Sequence, residues 1–440
     1  MIKANFAKYN NYKNSCVDWL GNIPEHWEVV RNKEIFTERS VLSSTGEETL
    51  LTVSHITGVT PRSEKNVNMF MAETMEGYKI CYEGDLIINT MWAWMGALGT
   101  SNYFGICSPS YNVYLPKKGI PYYHKFFDYL FRTPNAIVEM TRNSKGIVSS
   151  RLRLYAKDFF QIKTVLPSFE EQKAIARYLD EKTELIDRKI NLLTQKADRY
   201  KELKRSLINK TVTCGLDPSV PMKNSGIEWL GDIPEHWEVK PLKSLVWKIG
   251  SGKTPKGGAE VYSKSGIVFI RSQNVHFDGL RLEDVVYIDQ SIDNQMASTR
   301  VFPSDILLNI TGASLGRCTI VPDKFVPANV NQHVCIIRPI TNFINPAFLN
   351  RVISSDIIQR QIFSTEYGTS REGLTFAQIR NFIVGFPQDI MEQKAIAHYL
   401  DEKTSKIDQI IETINNQIEK LQELRKTLIN DIVTGKIKVI

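Results

Sequence analysis

Part of this 440-residue chain is written twice, and that constrains its fold more than any other feature. Residues 17–29 read VDWLGNIPEHWEV and residues 227–239 read IEWLGDIPEHWEV, an offset of 210. A second matched pair, EQKAIARYLDEKT at 171–183 and EQKAIAHYLDEKT at 392–404, is offset by 221. It continues through Ile186-Asp187 and Ile407-Asp408 to LKRSLIN (203–209) and LRKTLIN (424–430). Between the matched blocks, segments 30–165 and 240–386 share only frame residues, such as GDLIIN (84–89) against SDILLN (304–309) and SRLRL (150–154) against SREGL (370–374). One scaffold therefore carries two unlike domains. Two copies are too few for a solenoid, and a two-fold arrangement is the simplest outcome.

The matched blocks after each variable domain predict long helices. With Ile190 at heptad position a, the first seam runs Ala176, Leu179, Thr183, Ile186, Ile190, Leu193, Ala197, Tyr200, Lys204, Leu207. The second reads Ala397, Leu400, Thr404, Ile407, Ile411, Ile414, Ile418, Leu421, Arg425, Leu428. Charges of both signs fill the outer positions, as in a coiled coil. Gly215 and Gly435 stand where a helix stop is expected. At ~1.5 Å per residue, each helix of ~40 residues is roughly 60 Å long. The expectation is that the two pair antiparallel, relating the copies by a pseudo-two-fold axis and holding the variable domains apart. The alternative is that each helix packs alone against its own domain.

The variable domains show β-like runs at 50–59, 84–90, 266–272, 305–311 and 333–339, with helix-like pieces at 122–132 and 346–363. The expected fold class is mixed α/β: two globular domains joined by two long antiparallel coiled-coil helices. The expected segments are a first domain at 1–167, a spacer helix at 168–215, a second domain at 216–387 and a second spacer helix at 388–440. An apolar content of 42% permits large cores, and a net charge of +7 permits nucleic-acid binding without requiring it. Cys16, Cys81, Cys107, Cys214, Cys318 and Cys335 form no C-x-x-C pair, which fits a reducing cytosol rather than a disulfide framework or zinc site. A polar N-terminus and the lack of an apolar run of about 18 residues point to a cytoplasmic protein without a membrane partner.

Two unlike domains, each introduced by WLG-x-IPEHWEV and followed by LP or FP, an EQ-x-AIA block and a long helix, resemble the specificity subunits of type I restriction–modification enzymes. The resemblance extends from about Lys13 onward. It implies that the variable domains are target recognition domains, each reading one half of a split site in double-stranded DNA. It implies also that the helices act as spacer and docking surface for two methyltransferase subunits, with restriction subunits added in the full complex. S-adenosylmethionine would bind the methyltransferase subunits, and ATP with Mg the restriction subunits. No cofactor is expected in this chain, and no catalysis by it alone. A coiled-coil scaffold tethering two protein-binding domains is the rival reading; a stand-alone enzyme lacks a coherent catalytic set.

Three signals imitate chemistry. GSGKT at 250–254 lacks the upstream P-loop glycine, since position 247 is Trp, and Pro255 stands where the P-loop helix should run on. It reads better as a loop whose backbone and Lys253 approach a phosphate. NPAF at 345–348 resembles an adenine-methyltransferase motif, but Asn345 as N-cap with Pro346 at N1 explains it. His26 and His236 recur within IPEHWEV, which reads as a docking turn with Trp27 and Trp237 buried.

For DNA contact, polar and aromatic side chains at strand ends and in loops are the candidates. In the first domain these are Ser54, His55, Thr57, Trp92, Trp94, Tyr111, Asn112, Lys145, Arg151 and Arg153. In the second they are Lys253, Thr254, Arg271, Ser272, Gln273, Asn274, Arg317, Asn331, Gln332, His333, Ser370 and Arg371. Arg151 and Arg371 share a frame position, which suits phosphate contact or scaffold better than base choice. Ile175 and Tyr178, with counterparts Ile396 and Tyr399, lie off the seam as apolar pairs at i, i+3. They are candidates for docking a methyltransferase subunit, or for packing on the chain's own domains.

Overall fold

The computed structural model describes residues 7–65, 74–148, 151–364 and 373–439. The chain forms two compact units: Met1–Thr194 with Asn415–Ile440, and Gln195–Ile414. This division differs from the four expected segments, because both long helices are shared between the units.

Those helices span Phe169–Cys214 and Ile390–Val433. Each ends at a glycine in the left-handed region, Gly215 with φ 72° and Gly435 with φ 76°. Every residue of both expected seams is buried or half-buried, whereas the off-seam Leu185, Leu192, Leu203, Ile410 and Leu424 are exposed. In the first unit the start of the first helix lies beside the end of the second, and Asp187 pairs with Arg425 at 2.9 Å. In the second unit the roles are exchanged, and Asp408 pairs with Lys204 at 2.6 Å. The pairing is antiparallel, and one contact is made twice by repeat-equivalent residues. Exposed pairs of this kind add little stability and serve register.

The repeated docking turn explains how each unit closes. Trp27 is fully buried in a cluster with Leu428, Ile432 and Val433 from the end of the second helix. Trp237 is buried in a cluster with Val212 from the end of the first. His26 Nε2 lies 3.1 Å from Glu171, and His236 Nε2 lies 2.8 Å from Glu392, which fastens each turn to the first turn of its own helix. The copies differ in one detail. Trp237 Nε1 donates to Glu392 at 3.0 Å, whereas Glu171 accepts from the Tyr9 hydroxyl at 2.7 Å.

Each unit holds one antiparallel four-stranded sheet of the same order. In the first it runs Phe36–Glu38, Tyr111–Pro116, Leu86–Asn89, Leu98–Thr100. In the second it runs Val246–Ser251, Val334–Pro339, Ile306–Asn309, Cys318–Ile320. The matched runs GDLIIN and SDILLN supply the inner strands, whose four residues are all buried. A buried carboxylate precedes each. Asp85 accepts two hydrogen bonds from Arg39 and one from the Tyr82 amide, and Asp305 accepts the same set from Arg338 and the Phe302 amide. Each guanidinium also lies over the ring of Tyr82 or Phe302. A buried charge held this way is satisfied at every turn.

The units differ beside that sheet. The first carries the hairpin Leu51–Ser54/Gly58–Pro61 and the pair Lys79–Cys81/Gly105–Cys107. The second carries another four-stranded sheet, in which Ile267–Ile270 runs parallel to Ala328–Val330. The expected run 50–59 is a hairpin because the Ser54 hydroxyl accepts from the amides of Ile56 and Thr57 and turns the chain. The expected helix at 346–363 breaks at Ser355 into Pro346–Ser354 and Asp356–Ser364. Asn345 caps the first of these, accepting from the Phe348 amide at 3.0 Å. All six cysteines are free, and among the described residues no helix is long and apolar enough to cross a membrane.

Candidate nucleic-acid interface

In the second unit, four separate stretches meet at one end of the repeated sheet. The Gly252 amide donates to Val334 O at 3.3 Å, and the Asn331 amide to Ile270 O at 3.0 Å. The Asn309 side chain donates to Ser272 O at 2.8 Å, and the Ile310 amide to His333 O at 3.0 Å. These bonds gather Lys253 and Thr254, Arg271 to Asn274, the run from Thr311 to Arg317, and Asn331 to His333. Gly252 is required there: an added Cβ would stand 1.7 Å from Val330 O. The chain then turns at Pro255 without starting an α-helix, so GSGKT is a close-approach loop.

The gathered side chains are not equally free. Asn274 is buried, accepting from the Arg271 amide and donating to Arg281 O. Asn331 is buried and accepts from the His333 amide. Arg271 donates to Asp284 O and lies over the Tyr262 ring. Ser272 gives its carbonyl to Asn309. These four shape the site. Lys253, Thr254, Gln273 and Gln332 are exposed. Gln332 contacts His333 Nε2 at 2.9 Å, and His333 Nδ1 lies 2.6 Å from Thr311 Oγ1. With the Gln332 amide donating to Nε2, the ring proton sits on Nδ1 and is donated to Thr311. Thr311 was not foreseen in this chain of contacts. Arg317 faces a cleft of about 560 Å³ lined also by Lys201, Lys204, Arg205, His276 and Phe277. Ser370 and Arg371 lie outside the described residues.

The first unit repeats the frame with other side chains. Leu154 N donates to Thr90 O at 3.1 Å, and its counterpart Leu374 N donates to Ile310 O at 2.8 Å. The Thr90 hydroxyl donates to Ser110 O, which places Tyr111 and Asn112 beside the loop carrying Trp92. Trp92 is exposed, while Trp94 is half-buried and donates to Met91 O. Tyr111 and Asn112 are half-buried, with the Asn112 amide donating to the Tyr114 hydroxyl. Lys145 pairs with Asp158 at 2.8 Å, and Arg151 and Arg153 are exposed. Ser54 is spent on its own turn, leaving His55 and Thr57 exposed at the hairpin tip, which Arg132 holds through Ile56 O at 2.7 Å.

The docking candidates divide. Ile175 and Ile396 are fully buried in the cores of their own units, so neither is available as surface. Apolar pairing at i, i+3 marks core as readily as contact surface, and here the core takes both. Tyr178 and Tyr399 are half-buried, each with a lysine over its ring, Lys182 and Lys403. Among the described residues no group of three or more His, Cys, Asp or Glu could hold a metal ion.

Residues 234–420, most of them in the second unit, match the family model of type I restriction modification DNA specificity domains. The chain is similar to specificity subunits of type I restriction enzymes. The MjaVIII specificity subunit of Methanocaldococcus jannaschii is 28% identical over 286 residues, 64% of this chain and 64% of that relative. The match therefore spans a little under two thirds of the relative's length. Two solved structures share the fold at low identity. A chain from a structure concerned with assembly and conformational transition of the type I R-M system aligns at 14% identity and TM-score 0.69, covering 93% of this chain and 98% of that one. The HsdS subunit from Thermoanaerobacter tengcongensis aligns at 15% identity and TM-score 0.53, covering 94% and 98%.

Proposed function

We propose that this chain is the non-catalytic specificity subunit of a type I restriction–modification complex. It reads a bipartite, asymmetric DNA sequence and directs adenine methylation and cleavage by partner subunits. One observation carries the reading: a repeated frame presents, at the same end of each sheet, loops whose exposed residues differ between copies. A common frame with unlike readers suits a site whose halves differ. Phosphates would be held by Lys253, Arg317, Arg151 and Arg153, and bases read by Gln273, Gln332 and the His333 pair. On this reading two methyltransferase subunits carry S-adenosylmethionine and the restriction subunits carry ATP and Mg. The methyltransferase docking surface includes Tyr178 and Tyr399.

The test is duplex binding by the purified chain as salt is raised. Phosphate neutralisation gives a linear fall of log affinity with log salt, by about 0.9 per phosphate contact. Lys253→Ala should weaken binding to all sequences alike and reduce that slope by about one. Gln332→Ala should instead relax choice at one base pair, at a cost of about 1–3 kcal/mol for the correct sequence. Binding that ignores salt and sequence would favour a scaffold for protein partners instead.

A further inference from the structure

After Lys145 in the first unit the chain carries an apolar tip, Ile147 and Val148, that no contact among the described residues covers. Ile147 is fully exposed at 104%, and Val148 is exposed at 51%. Its carrier is pinned. Lys145 and Arg153 exchange two backbone hydrogen bonds of 2.9 Å, and the Arg151 amide donates to Val148 O at 2.8 Å. Gly146 sits so close to the opposite limb that an added Cβ would lie 2.7 Å from Arg151 O. The salt bridge from Lys145 to Asp158 and the bond from Leu154 to Thr90 O fix the base of the loop beside the run carrying Trp92 and Met95.

Two β-branched residues displayed on a pinned tip forgo burial unless something else covers them. The flanking charge indicates what that is. The guanidinium groups of Arg151 and Arg153 are exposed, with no partner among the described residues. Such a rim fits a polyanion. An aliphatic side chain cannot hydrogen-bond a base edge, and in the major groove the apolar feature of a base pair is the thymine methyl group.

We propose that Ile147, with Val148 beside it, contacts the C5-methyl group of a thymine in the half-site of the first unit, while Arg151 and Arg153 hold adjoining phosphates. The inference rests on the duplex-reading function proposed above. The repeat supports the division of roles. At the offset of 220 that equates Arg151 with Arg371, the second copy has Tyr367 and Gly368 in place of Ile147 and Val148. The arginine is common to both copies and the tip is not, as expected if one grips the backbone and the other chooses a base.

The experiment uses the full chain and the duplex it prefers from a random library. Each thymine of that duplex is replaced in turn by uracil, which lacks only the methyl group. Wild-type binding should weaken about fourfold at one position, the worth of one buried methyl group. Ile147→Ala should bind the parent duplex about fourfold more weakly and become indifferent to uracil there. Because Ile147 touches no core, its thermal midpoint should not change. Uracil sensitivity that persists in the variant, or none at any thymine, overturns the inference. So does 2-aminopurine fluorescence that rises on binding in the wild type alone, since the tip would then be a wedge between stacked bases. Unchanged duplex binding with loss of a co-purifying protein would make the tip a protein contact and overturn it too. If the chain selects no duplex at all, the DNA-reading function itself fails, and this inference with it.

Discussion

Single residues carry the pH response. Burial lowers the pKa of His124 from its ordinary 6.5, with Lys125 acting in the same direction and Glu83, Asp128 and Asp180 opposing. The folded state thus binds fewer protons at this site than the unfolded chain. The resulting stability is present above about 6.5 and is lost as pH falls through the lower folded value. His124→Gln should flatten that acid-side loss in urea melts, and an unchanged profile would assign the loss to other groups. The residue scale is also where the sequence was least legible. Asn274 and Asn331 have the composition of base readers but are spent inside the fold. Arg271 is engaged by Asp284 O and Tyr262. Ile147 is illegible for the converse reason: an aliphatic residue in a loop reads as core, and exposure is a property of the surroundings.

At the scale of elements, period and punctuation were informative. The heptad seam correctly identified the buried stripe of both helices, because a 3.5-residue repeat depends on local spacing alone. The stop glycines followed from the same local logic, and the structure separates their costs. An added Cβ at Gly215 would meet Glu392 and Trp237 at an ordinary 3.5 Å, whereas at Gly435 it would stand 2.3 Å from Pro24 Cδ. Gly215→Ala should therefore cost about 1 kcal/mol, the penalty for left-handed backbone. Gly435→Ala should cost about 2–4 kcal/mol, overpacking included. Denaturant midpoints of the two variants check the order, and equal shifts would refute it. Sheet order was not legible. Leu86–Asn89 pairs with a strand twenty-odd residues on, and Ile267–Ile270 with one some sixty residues away, partners that only long-range packing selects.

At the scale of the whole molecule, the repeat makes a doubled scaffold readable. What it could not reveal is that the compact units cut across the helices, at 194/195 and 414/415. Both helices cross between units at those points. Inserting four residues beside Leu193 and four beside Ile414 lengthens each by about 6 Å. If the helices set the distance between readers, the base pairs permitted between half-sites should change. Methylation mapping with the variant measures this, and an unchanged spacing would show that the helices do not set it. The shared helices also bear on how the chain is made. Gln195–Ile414 is continuous, so the second unit can complete itself as soon as it leaves the ribosome. The first unit cannot, because Leu428, Ile432 and Val433 seal the pocket around Trp27. The domain translated first is consequently the last to mature, and until then the residues that pack around Trp27 lack part of their apolar cover, surface of the kind that draws chaperones or misassembles.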